Sequence, residues 1–146
     1  MARIVRSILI ATDGSDTATR AVEHGAELAL TIGASVHVVT AYEPLHGASV
    51  SGGGPEATAW HIRSDSKAEA VLEAACALLR LRGLEAESHA RNGDPADAIL
   101  DIAEQVGSDL IVVGSKGMTG SKRFLRSVPN KVSHHARCSV MIVHTA

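Results

Sequence analysis

Short apolar runs alternate with amphipathic stretches along the chain. The runs at 7–11 and 109–114 are almost continuously apolar, as strands are when a parallel sheet is covered on both faces. Those at 36–41 and 139–143 are rich in β-branched residues, which favour strands. Residues 84–91 alternate charged with small side chains, a weaker pattern that suits the edge of a sheet. The chain is therefore predicted to contain five strands.

Four helices are predicted between the strands, because apolar residues recur there every three or four positions. The first ends at Gly33 and the second near Gly83, two glycines placed as C-caps. The third begins with Asp94 as its N-cap and Pro95 as its first helical residue. The fourth opens within 127–129.

This alternation of strands and helices predicts one α/β domain over residues 1–146, built on an open five-stranded parallel sheet with helices on both faces. The glycine- and proline-rich stretch at about 44–58 is expected to be a mobile loop. Such sheets bind ligands at the carboxyl ends of the strands, where the strand order reverses. Asp13, Ala41 and Gly114 are therefore the first candidate site positions.

The composition excludes several classes of function for this protein. The 146 residues include only three aromatics, too few for a surface that stacks the bases of nucleic acid. No apolar run approaches the roughly 18 residues that span a bilayer, and residues 1–10 lack a signal-peptide core and cleavage site. We therefore predict a cytoplasmic protein with neither a nucleic-acid nor a membrane partner. Cys76 and Cys138 show no metal-ligand spacing and are expected to be buried thiols.

The net charge of −2 conceals an uneven distribution. Residues 1–109 carry 8 Lys and Arg against 16 Asp and Glu, whereas residues 110–146 carry 6 Lys and Arg and no acid. These cations surround a glycine-rich loop that runs from Gly114 to Pro129. Backbone N–H groups, a helix N-terminus and nearby cations together form a phosphate cradle, although a solvated basic loop would show the same pattern. The glycine spacing is not that of a Walker A loop.

No catalytic constellation and no metal site are predicted. Asp13 is either a helix cap or a ligand contact, and its place at the reversal of strand order favours contact. His134 and His135 would point about 100° apart on a helix, so they are predicted to be surface residues rather than ligands of one ion. The residues predicted only to cap helices or to lie in their first turns are Ser15, Asp16, Asp94 and Asp97.

The chain resembles the universal stress protein family. The resemblance spans its whole length and lies in residues 11–15 (ATDGS), 93–95 (GDP), 114–117 (GSKG) and 127–136 (SVPNKVSHHA). The family pattern has an Asp at the end of strand one and, after strand four, Gly-x-x-Gly followed about nine residues later by Gly-Ser/Thr. The resemblance implies a flavodoxin-like or Rossmann-like three-layer sandwich of strand order 3-2-1-4-5, a homodimer and, in the ATP-binding branch, a bound nucleotide.

Carried over by position, the resemblance assigns roles around that nucleotide. Asp13 would contact the ribose, and the backbone near Ala41 would contact the adenine edge. Val113 and Gly114 would line the nucleoside. The candidate nucleotide-binding residues are Ala11, Thr12, Asp13, Ala41, Val113, Gly114, Ser115, Gly117, Arg126, Ser127, Val128 and Pro129, of which Gly117, Ser127 and Val128 would hold phosphates.

The family pattern is interrupted at Arg126, which stands where the second-part glycine is expected, after a spacer of eight residues, 118–125. A non-glycine residue held in the left-handed conformation costs roughly 1–2 kcal/mol, so Arg126 would narrow or close the cradle. Alternatively, its guanidinium could replace the lost backbone donors with a forked phosphate contact. The sequence leaves both outcomes open.

The leading hypothesis is a dimeric stress-response or signalling regulator that binds ATP or AMP, with or without Mg²⁺. One alternative is a dimeric interaction module in which Arg126 weakens or abolishes ATP binding. Another is a slow ATP hydrolase, which would need a second carboxylate beside Asp13, with Asp16 the nearest. Neither flavin nor zinc is predicted. The apolar strand at 139–143 is expected to be a sheet edge that pairs two copies into a homodimer.

Overall fold

The computed structural model describes residues 4–43, 65–115 and 128–144, and the loop predicted at 44–58 lies outside them. The elements are β1 (Ser7–Ala11), α1 (Asp16–Ile32), β2 (Ser35–Tyr42), α2 (Asp65–Leu81), β3 (Ala86–Asn92), α3 (Pro95–Val106), β4 (Leu110–Gly114), α4 (Val128–His135) and β5 (Ser139–Val143). They confirm the predicted alternation. In this part of the chain, no helix has the length and apolar character needed to cross a membrane.

The five strands form one parallel sheet in the order β3-β2-β1-β4-β5, which confirms the expected topology. The chain first builds outward from β1 to β3 on one side. It then crosses to the other side of β1 and adds β4 and β5. The order therefore reverses between β1 and β4, and β3 and β5 form the two edges, as predicted.

Helices cover both faces of the sheet, and β1 shows how one strand serves two cores. Because successive side chains of a strand point to opposite faces, Ile8 and Ile10 pack towards α1 and α2, whereas Leu9 and Ala11 pack towards α3 and α4. All four are 0–1% exposed. The central strands therefore carry continuous apolar runs, as expected for a sheet buried on both sides.

Helix α1 is held close to β1 and has well-defined ends. Ser15 is its N-cap, with a side chain that accepts a hydrogen bond from the Ala18 N–H, and Gly33 is its C-cap with φ of 72°. Gly25 lies where the helix crosses the strand, and a Cβ there would come within 2.6 Å of Ile10 Cδ1. The absence of a side chain at Gly25 thus sets how closely α1 approaches the sheet.

Cys76 and Cys138 are free thiols that are partly exposed, so the prediction that they are buried is wrong. Both lie near the edge strands, whose residues are less buried than those of the central strands. Cys76 is on α2, which packs against the edge strand β3, and Cys138 immediately precedes β5. Partial burial still raises the pKa of each thiol, so neither resembles an activated thiolate.

Candidate functional site

A crevice opens at the carboxyl ends of β1 and β4, where the strand order reverses. The helices that follow β1 and β4, α1 and α4, pack on opposite faces of the sheet, which leaves a space between the ends of the two strands. The residues that line the crevice are Ala11, Asp13, Ser15, Thr17, Ala18, Val113, Gly114, Val128 and Pro129.

Two helices begin at this crevice. Ser15, Thr17 and Ala18 belong to the N-cap and first turn of α1, while Val128 and Pro129 are the first residues of α4. The first N–H groups of a helix have no acceptor within it, and the aligned peptide dipoles add a partial positive charge there. The crevice is therefore suited to an anionic group.

Asp13 supplies a carboxylate to this crevice. Its Oδ1 accepts hydrogen bonds from the backbone N–H of Ser15, at 3.0 Å, and from the Ser15 hydroxyl, at 2.6 Å. Ser15 in turn caps α1, which confirms the capping role predicted for it. Asp13 thus accepts hydrogen bonds within the turn before α1 and also lines the crevice. The two predicted roles of Asp13, helix cap and ligand contact, are therefore compatible.

The walls on the β4 side are apolar. Val113 is 1% exposed, and Gly114 ends the strand without a side chain. The next residue, Ser115, donates its backbone N–H to the Val143 carbonyl at 2.8 Å, which extends the pairing of β4 with β5 beyond the strand. This side therefore offers a smooth surface for a flat or apolar part of a ligand.

Thr12, Ala41 and Ser115 are described candidate residues that do not line the crevice. The Thr12 side chain accepts a hydrogen bond from the Gly14 N–H, at 3.1 Å, and lines a separate cavity between α1 and α2. The Thr12 N–H donates to the Val39 carbonyl. Ala41 is 3% exposed near the carboxyl end of β2.

Three candidate residues, Gly117, Arg126 and Ser127, lie outside the described residues, together with most of the basic loop. The cation of α4, Lys131, contacts Asp94 at 3.3 Å and Asp97 at 3.2 Å. These hydrogen bonds raise the pKa of Lys131. Asp94 also caps α3 by accepting the Asp97 N–H, which confirms the predicted cap.

The described lining contains one ionisable side chain, that of Asp13. Asp16 is exposed in the first turn of α1 and is not part of that lining. His134 and His135 are exposed, as predicted. The described arrangement can hold a ligand that has hydroxyl groups for Asp13 and an anionic group for the helix ends.

Sequence reasoning missed Thr17 and Ala18, which line the crevice from the first turn of α1. The signal was present in the chain. Ser15 is the predicted cap and itself lines the crevice, and the residues two and three positions after a cap face the same end of the helix.

Comparisons with known proteins agree on one family. A sequence profile described as "Universal stress protein family" matches residues 5–144. Universal stress protein YxiE of Bacillus subtilis is 36% identical over 143 residues, which cover 93% of this chain and 97% of that protein.

Two solved structures contain nucleotides. A universal stress protein in complex with cAMP has a TM-score of 0.76 and 30% identity, over 97% of this chain and 98% of that one. The universal stress protein from Archaeoglobus fulgidus in complex with dAMP has a TM-score of 0.68 and 28% identity, over 97% and 99%.

Proposed function

This chain belongs to the universal stress protein family, and we propose that it binds an adenine nucleotide, ATP or AMP, in the crevice between β1 and β4. The observation that carries the proposal is the meeting of two helix N-termini and one carboxylate in this crevice. A nucleotide has the matching parts: hydroxyl groups, a flat base and an anionic phosphate chain. The cAMP and dAMP bound by similar proteins support this ligand class.

The Asp13 carboxylate would accept hydrogen bonds from the ribose hydroxyls. Its Oδ1 already accepts two bonds from Ser15, so the carboxylate is held in place before the ligand arrives. A carboxylate has about four acceptor positions, so it can accept a ribose hydroxyl while it braces the turn before α1. Val113 and Gly114 would contact the nucleoside, and the backbone near Ala41 would contact the adenine edge.

The phosphates would lie towards the start of α4. Val128 and Pro129 line the crevice there, and the helix end provides partial positive charge. Gly117, Arg126 and Ser127 are proposed to complete the phosphate contacts. In this arrangement the nucleotide would contact both the end of β1 and the start of α4, so occupancy can alter the position of α4, which packs against β5.

We propose binding rather than rapid turnover, and a regulatory role in the stress response. Phosphoryl transfer needs groups that hold a metal ion and orient the attacking nucleophile. The described lining offers Asp13 alone among ionisable side chains. The expected outcome of ligand binding is therefore a change in shape or in partners.

The protein is further proposed to be a homodimer paired through β5. This strand is an edge of the sheet, and Val140, Met141 and Ile142 are apolar and only partly buried. An apolar edge of this kind exposes backbone groups that can pair with a second copy. A two-fold arrangement would pair the same strand from each copy.

The test is calorimetric titration of nucleotide-stripped protein with ATP, ADP, AMP and cAMP. Binding of at least one is expected, and Asp13→Ala should weaken it at least tenfold. Asp16→Ala is the matched control, because it removes an exposed acid close to Asp13 that is outside the described lining. A folded, stripped protein that binds none of the four nucleotides would overturn the proposal.

Arg126→Gly separates the proposed function from the interaction-module alternative. If the natural protein binds nucleotide and Arg126→Gly binds no better, then Arg126 is compatible with the cradle. If only Arg126→Gly binds, the chain is a module that has lost its nucleotide, and the proposed function is wrong.

A further inference from the structure

A histidine-rich cluster lies on the sheet away from the crevice. His37 is in the amino-terminal half of β2, and Glu87 is its register partner on β3. His89 follows Glu87 by two positions, so both side chains point to the same face. No local spacing marks this cluster, because His37 is 50 positions from Glu87 and strand pairing alone brings them together.

The three side chains place their donor atoms at distances close to those of metal ligands. His37 Nδ1 is 3.1 Å from His89 Nε2 and 3.6 Å from Glu87 Oε1. One donor atom from each residue lies within 4.8 Å of the other two. For a tetrahedral Zn²⁺ ion with bonds of 2.0–2.2 Å, neighbouring donors are about 3.4 Å apart.

The two imidazole rings can also supply lone pairs to a cation. A neutral imidazole has one nitrogen with a free lone pair, which is the form that binds metal. The contact of His37 with His89 requires one nitrogen to donate and the other to accept. A metal ion would need lone pairs on both atoms, which a change of tautomer in one ring supplies.

An ion could reach the cluster from solvent. His37 and Glu87 line an open cleft of about 300 Å³ at the start of β2 and β3, together with Ser35 and Glu85. The His37 side chain is only 15% exposed, whereas that of Glu87 is 77% exposed. The cluster therefore has a fixed inner histidine and an outer carboxylate that can move to complete the coordination.

From this geometry we propose that His37, Glu87 and His89 form a binding site for a divalent transition-metal ion of the Zn²⁺ class. Two imidazoles and one carboxylate suit Zn²⁺ and its neighbours and are a poor set for Mg²⁺ or Ca²⁺, which prefer oxygen ligands. Three protein ligands would leave a position for water or another group. The site is separate from the proposed nucleotide crevice, so either proposal can fail without the other.

The test is calorimetric titration of the EDTA-treated full chain with Zn²⁺ at pH 7.5. One equivalent should bind, and His89→Gln and Glu87→Gln should each weaken binding at least tenfold. Glu87 is mostly exposed, so its replacement leaves the core unchanged and the result interpretable if His89→Gln folds poorly. Zn²⁺ should raise the melting temperature of the natural protein more than that of Glu87→Gln.

A double variant, His134→Gln with His135→Gln, is the control for adventitious binding by exposed histidines. It should bind Zn²⁺ as the natural protein does. The proposal is overturned if the natural protein shows no saturable binding. It is also overturned if binding persists in a His37→Gln, His89→Gln double variant or disappears in the His134, His135 variant.

Discussion

Asp13 Oδ1 accepts two hydrogen bonds from Ser15, one from its backbone N–H at 3.0 Å and one from its hydroxyl at 2.6 Å. The same hydroxyl accepts the Ala18 N–H, so the pair connects the end of β1 to the first turn of α1. A residue proposed to contact ligand is therefore held by the residue that starts the helix. Changes at either position should affect both stability and binding.

Ser15→Ala should lower the free energy of unfolding by about 1 kcal/mol, because α1 loses its N-cap. Nucleotide affinity should fall too, since Asp13 loses the hydroxyl that orients it. Urea unfolding and calorimetry measure the two effects. Ser15→Asn is the matched control, because Asn is a good N-cap and should restore most of the stability. Equal stability of Ser15→Ala and the natural protein would contradict the capping role.

Gly25→Ala should destabilise the fold by forcing α1 away from β1. The added Cβ would lie 2.6 Å from Ile10 Cδ1 and 2.9 Å from Ile10 Cγ1. Overpacking costs about 1–3 kcal/mol, and the better helix propensity of Ala returns up to about 1 kcal/mol. A net loss of roughly 1 kcal/mol in urea unfolding is expected.

Ile10→Val offers the matched second change for Gly25→Ala, because valine lacks the Cδ1 atom that the new Cβ would meet. The double variant should lose less stability than the sum of the two single changes. If the losses of stability from the two single changes add strictly, the close approach of α1 to β1 is not what disfavours a larger residue at position 25.

Stability in EDTA should fall as the pH drops below about 6.5, the ordinary pKa of histidine. The folded protein lowers the pKa of His89 through burial and the nearby His37. At pH values between the pKa of His89 in the folded protein and that in the unfolded chain, the unfolded chain binds more protons. The free energy of unfolding therefore rises with pH across this window and reaches its full value above it.

His89→Gln should flatten this part of the pH profile, measured by urea unfolding at several pH values. His24→Gln is the control, because His24 is exposed on α1 and should leave the slope unchanged. A profile equally steep in His89→Gln would assign the pH dependence to other groups.

Val140→Lys should favour the monomer. The charge would stand on β5, the apolar edge proposed to pair two copies, and charged edge residues oppose strand pairing. Light scattering after gel filtration gives the mass directly. Ala90→Lys makes the same change on the other edge strand, β3, and should remain dimeric. A monomeric natural protein at micromolar concentration would contradict the dimer.

Much of the fold could be predicted from the chain. Apolar runs identified β1 and β4, and Asp94 with Pro95 marked the start of α3. These signals are local, since they depend on side-chain period and on capping chemistry. The burial of Cys76 and Cys138 was not predictable in this way, because it depends on how far helices extend over the sheet edges.

The candidate site likewise has parts that the sequence predicts and parts that it does not. The sequence alone determined that Asp13 follows one strand and that Gly114 ends another at the same edge of a parallel sheet, because parallel strands align their carboxyl ends. Only the tertiary structure decided that the Thr12 side chain lines a separate cavity between α1 and α2. It also brought His37 beside Glu87 and His89. Such contacts depend on strand register and on the packing of whole helices, which no local pattern specifies.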